Sequence, residues 1–244
     1  MPSLTLPDRL IWFAHCPKAG GTSIEQIMVA TWGTAVGHLH WGWDLWWRGG
    51  GWRMAGPANS PQHLIWQDAC ALLPQAPDLV FALVRAPLAR MQSERRWQAR
   101  GRRGTLLGKA VARLPFSIWL RLMLEMRRRN PYCYDNHFRA QTAFVPENAQ
   151  VFRLEDGLDA VVDWLGRQTG RRLDPPPHAL ATPRETTAPD PRDAALVAQV
   201  FAEDHRRFGY RLPDADVGSR RPLVDALARA AARALVPLER RGLV

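Results

Sequence analysis

Short apolar runs alternate with segments of helical periodicity along this chain. Residues 10–16 (LIWFAHC) form an apolar run that ends at a glycine-rich turn, and apolar residues then recur with helical spacing at Ile24, Ile27 and Met28. The run 78–87 (DLVFALVRAP) is continuous enough to predict a strand buried on both faces of a parallel sheet. A strand, a loop and a helix followed by a buried strand indicate an α/β arrangement.

The same alternation continues to the end of the chain. Thr22 or Ser23 is expected to be the N-cap of the first helix. The alternation predicts a three-layer α/β domain with a central, mainly parallel sheet flanked by helices. Further helices are predicted at 63–74, 88–100, 115–131, 158–170, 191–210 and 222–241, and a third strand at 149–156.

The last predicted helix, 222–241, follows the predicted α/β domain as a C-terminal extension. We expect residues 1–212 to form the α/β domain and residues 213–244 to form a helical extension packed on the same domain. A basic amphipathic helix can also lie on a membrane surface, although docking is the favoured use. The face expected to dock carries Leu223, Leu227, Ala231, Leu235 and Leu238.

Composition adds positive charge to this picture. Of 244 residues, 46% are hydrophobic and 23% are charged, as in an ordinary globular protein, and the formal net charge is +10. Such a balance favours an anionic partner: a nucleotide, an acidic glycan, nucleic acid or a membrane surface. The three cysteines are widely spaced and form no CxxC pair, which argues against a disulfide scaffold or a zinc site. With no visible signal peptide or membrane-spanning run, we expect a cytoplasmic location.

The turn after the first strand carries candidate chemistry. A glycine-rich turn between a strand and a helix directs backbone N–H groups toward one point, where the helix dipole adds positive potential. Gly20 and Gly21 would let a ligand approach the backbone, and Thr22 and Ser23 add hydroxyl donors. Lys18, one of two lysines in the chain, adds a mobile positive charge. The pattern indicates an anion site, and a plain turn with a solvated lysine is the alternative.

The pattern differs from that of nucleoside triphosphatases. Those proteins carry G-x-x-x-x-G-K-[ST], with the lysine after the glycines and a hydroxyl that binds Mg²⁺, whereas Lys18 precedes the glycines. The buried strand carries Arg85 where a Walker-B strand would end in a metal-binding aspartate. Because arginine repels Mg²⁺ and attracts phosphate, we predict an anionic cofactor that is bound without a metal.

These motifs resemble those of the sulfotransferases that use 3′-phosphoadenosine 5′-phosphosulfate (PAPS), in the carbohydrate branch that includes the hexuronate 2-O-sulfotransferases. HCPKAGGTSI (15–24) resembles the family's 5′-phosphosulfate loop, and VRAPLARMQSE (84–94) resembles its 3′-phosphate motif. The resemblance covers residues 10–212, because three more segments occur in the family's order: DNHFRAQTAF (135–144), VFRLEDGLDAVVDWL (151–165) and FAEDHRRFGY (201–210).

The resemblance implies a P-loop-like fold and a role for each matching residue. Lys18 would stabilise the leaving phosphate, and no metal is expected. Arg184 would reach a cofactor phosphate from a late Pro-rich loop. The residues implied to hold the 5′-phosphosulfate are Lys18, Ala19, Gly20, Gly21, Thr22 and Ser23, and those for the 3′-phosphate are Arg85 and Ser93. The chain departs from the family's commoner Thr, Asp and Pro at Ala19, Ala86 and Ala140.

A histidine is the expected base for the acceptor hydroxyl, because a pKa near 6.5 suits proton abstraction at neutral pH. We predict His63, which occupies the place of the family's base histidine, in the segment before the arginine-bearing strand. His137 and His15 are the alternatives, and simple helix packing would also explain His63.

The acceptor side carries aromatic and polar candidates. His137 and Gln141 match a His-x-x-x-Gln segment of the family, and Trp41 and Trp43 belong to a stretch of five tryptophans in residues 41–52. Indole rings stack on sugars and on bases, and they also pin loops to a core. The stretch therefore has two readings, an acceptor platform and a loop anchored by its own aromatics.

The predicted function is transfer of a sulfuryl group from PAPS to an acceptor hydroxyl by metal-free in-line displacement. The partner would be a small-molecule or glycan acceptor, a carbohydrate hydroxyl being one candidate, and no specific nucleic acid is expected. One alternative is a P-loop-like kinase, which would need Mg²⁺ ligands at its strand ends. Another is a non-catalytic arginine-rich module that binds nucleic acid or an anionic glycan.

Overall fold

The computed structural model describes residues 1–38, 60–72, 75–100, 105–173, 189–213 and 218–241. They divide into two units. Unit 1 comprises Met1–Arg85 and Gln141–Ala181, and unit 2 comprises Ala86–Ala140 and Thr182–Val244. The domain boundary expected at residue 212 stays a prediction.

Unit 1 is built on a sheet that has five strands in the described residues, in the order β3-β1-β2-β4-β5. Strands β2, β4 and β5 are parallel, whereas β1 runs antiparallel to both β2 and β3. The predicted α/β class is confirmed, and the sheet is mixed, with its parallel part at β2, β4 and β5. The strands are β1 (Ser3–Thr5), β2 (Leu10–His15), β3 (Val36–Gly37), β4 (Leu79–Val84) and β5 (Gln150–Arg153).

Helices flank the sheet of unit 1 and make up most of unit 2. Helices α1, α2 and α6 belong to unit 1 and the others to unit 2. Within the described ranges, no helix combines the length and the apolarity needed to cross a bilayer. The helices are α1 (Gly21–Trp32), α2 (Trp66–Leu72), α3 (Pro87–Ala99), α4 (Leu106–Ala112), α5 (Phe116–Arg129), α6 (Asp159–Thr169), α7 (Pro191–Val200), α8 (Ala202–Phe208) and α9 (Pro222–Glu239).

Three local predictions were wrong. Gly20, and not Thr22 or Ser23, is the N-cap of α1, because its left-handed backbone starts the helix two or three residues earlier than a hydroxyl cap would. The helix predicted at 63–74 is a 3₁₀ turn, Pro61–His63, followed by the shorter α2. The helix predicted at 191–210 is broken at Phe201, whose backbone (φ −114°, ψ 33°) leaves the helical region.

The core of unit 1 lies between the sheet and two helices. Phe13 on β2 stacks on Phe81 on β4, with ring centres 4.8 Å apart. Alternate residues of a strand share a face, so Ile11 and Phe13 bury the same side of the sheet. That side is covered by apolar residues of α1 and α6, namely Ile24, Ile27, Met28, Val161, Val162 and Leu165. This packing fixes where the loop between β2 and α1 begins and ends.

The core of unit 2 depends on the contact between α5 and α9. The buried stripe of α9 is Ala228, Ala232 and Val236. The docking face predicted from the sequence was wrong at Leu223 and Leu227, which are 82% and 70% exposed, whereas Ala231 and Leu235 of that face do pack against the core. The small side chains of Ala228 and Ala232 let the helix backbone come close to its neighbours at the centre of this stripe.

A buried ion pair ties α9 and α7 to α5. Arg121 on α5 is 2% exposed and donates to Asp193 Oδ1 at 2.5 Å and to the Ser219 carbonyl at 2.8 Å. Its Nε lies 3.0 Å from Asp225 Oδ1 on α9. The Ser117 hydroxyl also donates to the Asp193 carboxylate. Because the Arg121 charge is removed from water, its stability depends on the neighbouring Asp193 and Asp225 carboxylates.

We expect Asp193→Asn to destabilise the protein by about 3–5 kcal/mol, since it leaves the Arg121 charge buried without its main partner. The free energy of unfolding in urea measures this. Glu125→Gln is the matched control, because its partner Arg128 is 63% exposed and such surface pairs contribute about 0–1 kcal/mol. Equal losses in the two variants would contradict the ion-pair account.

Candidate functional site

The candidate site lies in unit 1, at the edge where β2, β4 and β5 have their carboxyl ends. The register pairs His15 with Leu83 and Val84 with Arg153, so the residues that follow β2, β4 and β5 lie next to one another along the same edge of the sheet. Residues 16–20 connect β2 to α1. In this loop Lys18 (φ 66°) and Gly20 (φ 87°) have left-handed backbone, a conformation in which neighbouring N–H groups can form an anion-binding concavity.

Gly20, at the end of the loop, and Gly21, the first residue of α1, both lie against other side chains. A Cβ on Gly20 would come within 2.9 Å of Leu154 Cδ1, and a Cβ on Gly21 within 2.1 Å of His15 Nε2. Gly20 in addition has the left-handed φ that glycine adopts without strain. Ligand approach is the role predicted for these glycines, and the structure shows that close packing against Leu154 and His15 requires them.

The His15 side chain packs under the first residue of α1. Its Nδ1 lies 2.7 Å from Glu25 Oε1, and the imidazole is 4% exposed. Its ring stacks on Phe13 at 5.3 Å. A carboxylate on one ring nitrogen fixes the orientation of an imidazole. His15 therefore supports the loop by packing against it. The pairing with Glu25 was not predicted, because no local sequence pattern indicates a contact between residues ten positions apart.

Arg85 connects the end of β4 to the loop. Its Nη1 donates to the Lys18 carbonyl at 3.3 Å. Arg85 is half-buried. Two cationic residues that the sequence analysis derived from separate motifs are thus in contact at the carboxyl edge of adjacent parallel strands.

Gln141 holds the backbone of Arg85. The Arg85 N–H donates to Gln141 Oε1 at 2.8 Å, and Gln141 Nε2 donates to the Arg85 carbonyl at 2.9 Å. Gln141 is fully buried. Both ends of its amide are engaged by Arg85, so the structure gives Gln141, a predicted substrate contact, the role of a positioning residue.

His63, the predicted base, is also part of unit 1. It ends the 3₁₀ turn Pro61–His63 and is 5% exposed. Its ring meets the ring of His15 edge to face, with centres 4.9 Å apart, and its Nδ1 lies 3.3 Å from Ser60 Oγ. His63 thus packs against the histidine that supports the loop.

His38 is a histidine that the sequence analysis did not single out. Its Nδ1 lies 2.7 Å from Ser3 Oγ on β1. Burial, with a smaller effect of the positive N-terminus, lowers the pKa of His38 to about 4. The imidazole is therefore neutral at pH 7 and a weaker base than an ordinary histidine.

Unit 2 holds two other predicted site residues, Ser93 and His137. Ser93 is buried on α3. His137 Nδ1 lies 2.7 Å from Glu94 Oε2, and the Glu94 side chain is fully buried. Gln98 Nε2 donates to Glu94 Oε1 at 2.8 Å, and Trp119 Nε1 donates to Gln98 Oε1 at 3.0 Å. This chain of hydrogen bonds fixes the His137 ring, and Glu94 was missed because it lies 43 residues away.

The backbone before His137 is strained. Tyr134, Asp135 and Asn136 are consecutive and all left-handed, with φ of 50°, 57° and 62°, which costs roughly 1–2 kcal/mol per residue. Glu239 accepts hydrogen bonds from the Tyr134 N–H at 2.9 Å and from Asn130 Nδ2 at 3.0 Å. Strain of this kind persists only where surrounding contacts determine the conformation, and it is common at functional sites.

Three predicted residues lie outside the described part of the chain. They are Trp41 and Trp43 of the tryptophan stretch and Arg184 of the Pro-rich segment. Their roles stay predictions.

Comparison with known proteins identifies no relative. No protein-family model, no curated protein and no solved structure matches the chain.

We expect Gly21→Ala to destabilise the protein by about 1–3 kcal/mol, because the new methyl group would overlap the His15 ring and overpacking has this magnitude. Urea unfolding measures the loss. Gly218→Ala is the control: it is exposed, and a Cβ there meets nothing within 4 Å among described atoms. A Gly21→Ala protein as stable as the control would show that His15 does not pack rigidly under the loop.

Proposed function

We propose that this protein is a PAPS-dependent sulfotransferase with a P-loop-like fold, which moves a sulfuryl group to an acceptor hydroxyl. The observation that supports the proposal most is the contact between Arg85 Nη1 and the Lys18 carbonyl. It brings the loop suited to a 5′-phosphosulfate beside the arginine suited to a 3′-phosphate. Gly20 and Gly21 add a stretch of loop without side chains.

The residues at the strand ends favour PAPS over a metal-bound triphosphate. The parallel strands end at His15, Val84 and Arg153, and Arg85 follows directly after Val84. Mg²⁺ sites in kinases and ATPases use carboxylates together with substrate phosphates, and none of these strand-end residues is acidic. Arginine instead forms paired hydrogen bonds with phosphate oxygens.

The residues of the chain provide positioning and charge. When bound, PAPS supplies the sulfuryl group, which passes to the acceptor oxygen as the sulfur–oxygen bond to the 5′-phosphate breaks. Lys18 and the loop N–H groups would stabilise the negative charge that develops on that phosphate. Arg85 would fix the nucleotide through its 3′-phosphate. His63, the predicted base, would take the proton of the acceptor hydroxyl.

Nucleotide binding tests the proposal. We expect 3′-phosphoadenosine 5′-phosphate (PAP), the product nucleotide, to raise the free energy of unfolding by about 2.7 kcal/mol at 100 times its Kd. ATP with Mg²⁺ and adenosine 5′-phosphate should have much smaller effects, because neither carries a 3′-phosphate. Thermal unfolding measures all three.

Arg85→Gln should remove most of the stabilisation by PAP. Arg9→Gln is the control, because Arg9 is a partly exposed arginine beside Asp8 at the opposite end of β2. Stabilisation by ATP with Mg²⁺ equal to that by PAP would favour the kinase alternative, and no effect of PAP would contradict the sulfotransferase.

Lys18→Ala should slow the release of PAP from PAPS, with water as the acceptor, by about 2.7–4 kcal/mol in transition-state free energy, the loss typical of an oxyanion donor. This is roughly 10²–10³-fold in rate. Lys109→Ala is the matched control, since Lys109 is the other lysine of the chain and lies on α4. An unchanged rate in Lys18→Ala would remove its assigned role.

A further inference from the structure

The C-terminal helix α9 leaves apolar side chains in solvent. Leu223 and Leu227 are 82% and 70% exposed, and residues four apart lie on the same side of a helix. The opposite side, Ala228, Ala232 and Val236, is buried against unit 2. Every strongly exposed leucine or isoleucine within the described residues belongs to unit 2.

Two arginines lie at one border of the exposed side of α9. Arg229 and Arg233 are exposed, and at about 100° per residue they lie about 120° and 80° around the helix axis from Leu223, so that they and the two leucines together span about 160° of the circumference. Within the described residues, neither forms an ion pair or a hydrogen bond through its side chain. Leu223, Leu227, Arg229 and Arg233 are called the outer face below.

The acidic residues of α9 point away from the outer face. Asp225 Oδ1 lies 3.0 Å from Arg121 Nε, and Glu239 accepts hydrogen bonds from Asn130 and Tyr134. Both carboxylates are thus engaged with other elements of unit 2. The outer face is left with apolar and positive groups, a combination that is complementary to a surface with an apolar interior and a negative boundary.

We propose that the outer face of α9 binds an anionic lipid surface. Leu223 and Leu227 would enter the boundary between headgroups and acyl chains, while Arg229 and Arg233 pair with lipid phosphate or carboxylate groups. A second copy of the chain fits less well. Eighteen residues of helix are about 27 Å long, so one face is small beside the roughly 800 Å² that each partner contributes to a stable dimer. Paired copies would also bring their arginines together.

Vesicle flotation with the full chain tests this proposal. We expect the protein to bind vesicles of phosphatidylcholine with 30% phosphatidylserine at least tenfold more strongly than phosphatidylcholine alone, as the charge on Arg229 and Arg233 requires (an estimate from about 1 kcal/mol per arginine). Leu223→Gln with Leu227→Gln should lower binding at least tenfold. The matched control is Leu106→Gln with Leu107→Gln, two exposed leucines on α4, which should change binding less than about twofold.

The arginines need their own control. Arg229→Gln with Arg233→Gln should weaken binding to anionic vesicles and reduce its salt dependence. Arg128→Gln with Arg206→Gln removes the same charge from two exposed arginines that are paired with glutamates, and it should have a smaller effect. All four positions are exposed, and circular dichroism with urea unfolding verifies that each variant folds.

Several results would overturn the proposal. Equal losses in the outer-face variants and their controls would show that net charge or general hydrophobicity drives binding. Equal binding to neutral and anionic vesicles would remove the role of the arginines. A dimer in sedimentation that dissociates in Leu223→Gln with Leu227→Gln would make the face a self-interface instead. None of these results depends on whether PAP binds.

Discussion

The hydrogen bonds around Arg85 are the constraint on which the candidate site depends. At a strand end the backbone leaves the ladder, and its buried N–H and C=O groups need new partners. The Gln141 amide supplies both partners at 2.8 and 2.9 Å, so the peptide of Arg85 is fixed where β4 ends. The guanidinium then reaches the Lys18 carbonyl. The position of Arg85 beside Lys18 therefore depends on the neutral side-chain amide of Gln141, which a ligand would not have to contact.

The two units use the same device to orient a histidine. His15 pairs with Glu25 in unit 1, and His137 pairs with Glu94 in unit 2, both at 2.7 Å. Each histidine lies within three residues of a non-glycine residue with left-handed backbone, Lys18 in one unit and Tyr134–Asn136 in the other. Such backbone is stable only where neighbouring contacts determine it. The two carboxylates therefore fix the orientation of rings that lie beside strained turns.

The sequence predicts features that are local and fails where the partner is distant. The apolar run 10–16 and the glycines after it are enough to place β2, the loop and α1, because each signal lies within a few residues of its effect. The contacts that Glu25, Glu94 and Gln141 make depend on how the sheet and the helices pack, and no local spacing of residues predicts them. The break at Phe201 has neither glycine nor proline to mark it. Tertiary packing decides it instead.

The rotation of α9 shows how polar contacts can override hydrophobicity. A hydrophobicity pattern selects the leucines as the buried side, yet at about 100° per residue that rotation would turn Asp225 and Glu239 toward solvent. The buried Arg121 would then lose its contact with Asp225, and the strained turn at Tyr134 would lose its hydrogen bond to Glu239. Burying two leucines would gain about 3–6 kcal/mol in total, and breaking a buried ion pair costs about 3–5 kcal/mol. Because these two quantities are of similar size, the hydrogen bonds to Glu239 decide the rotation, and Leu223 and Leu227 stay in solvent.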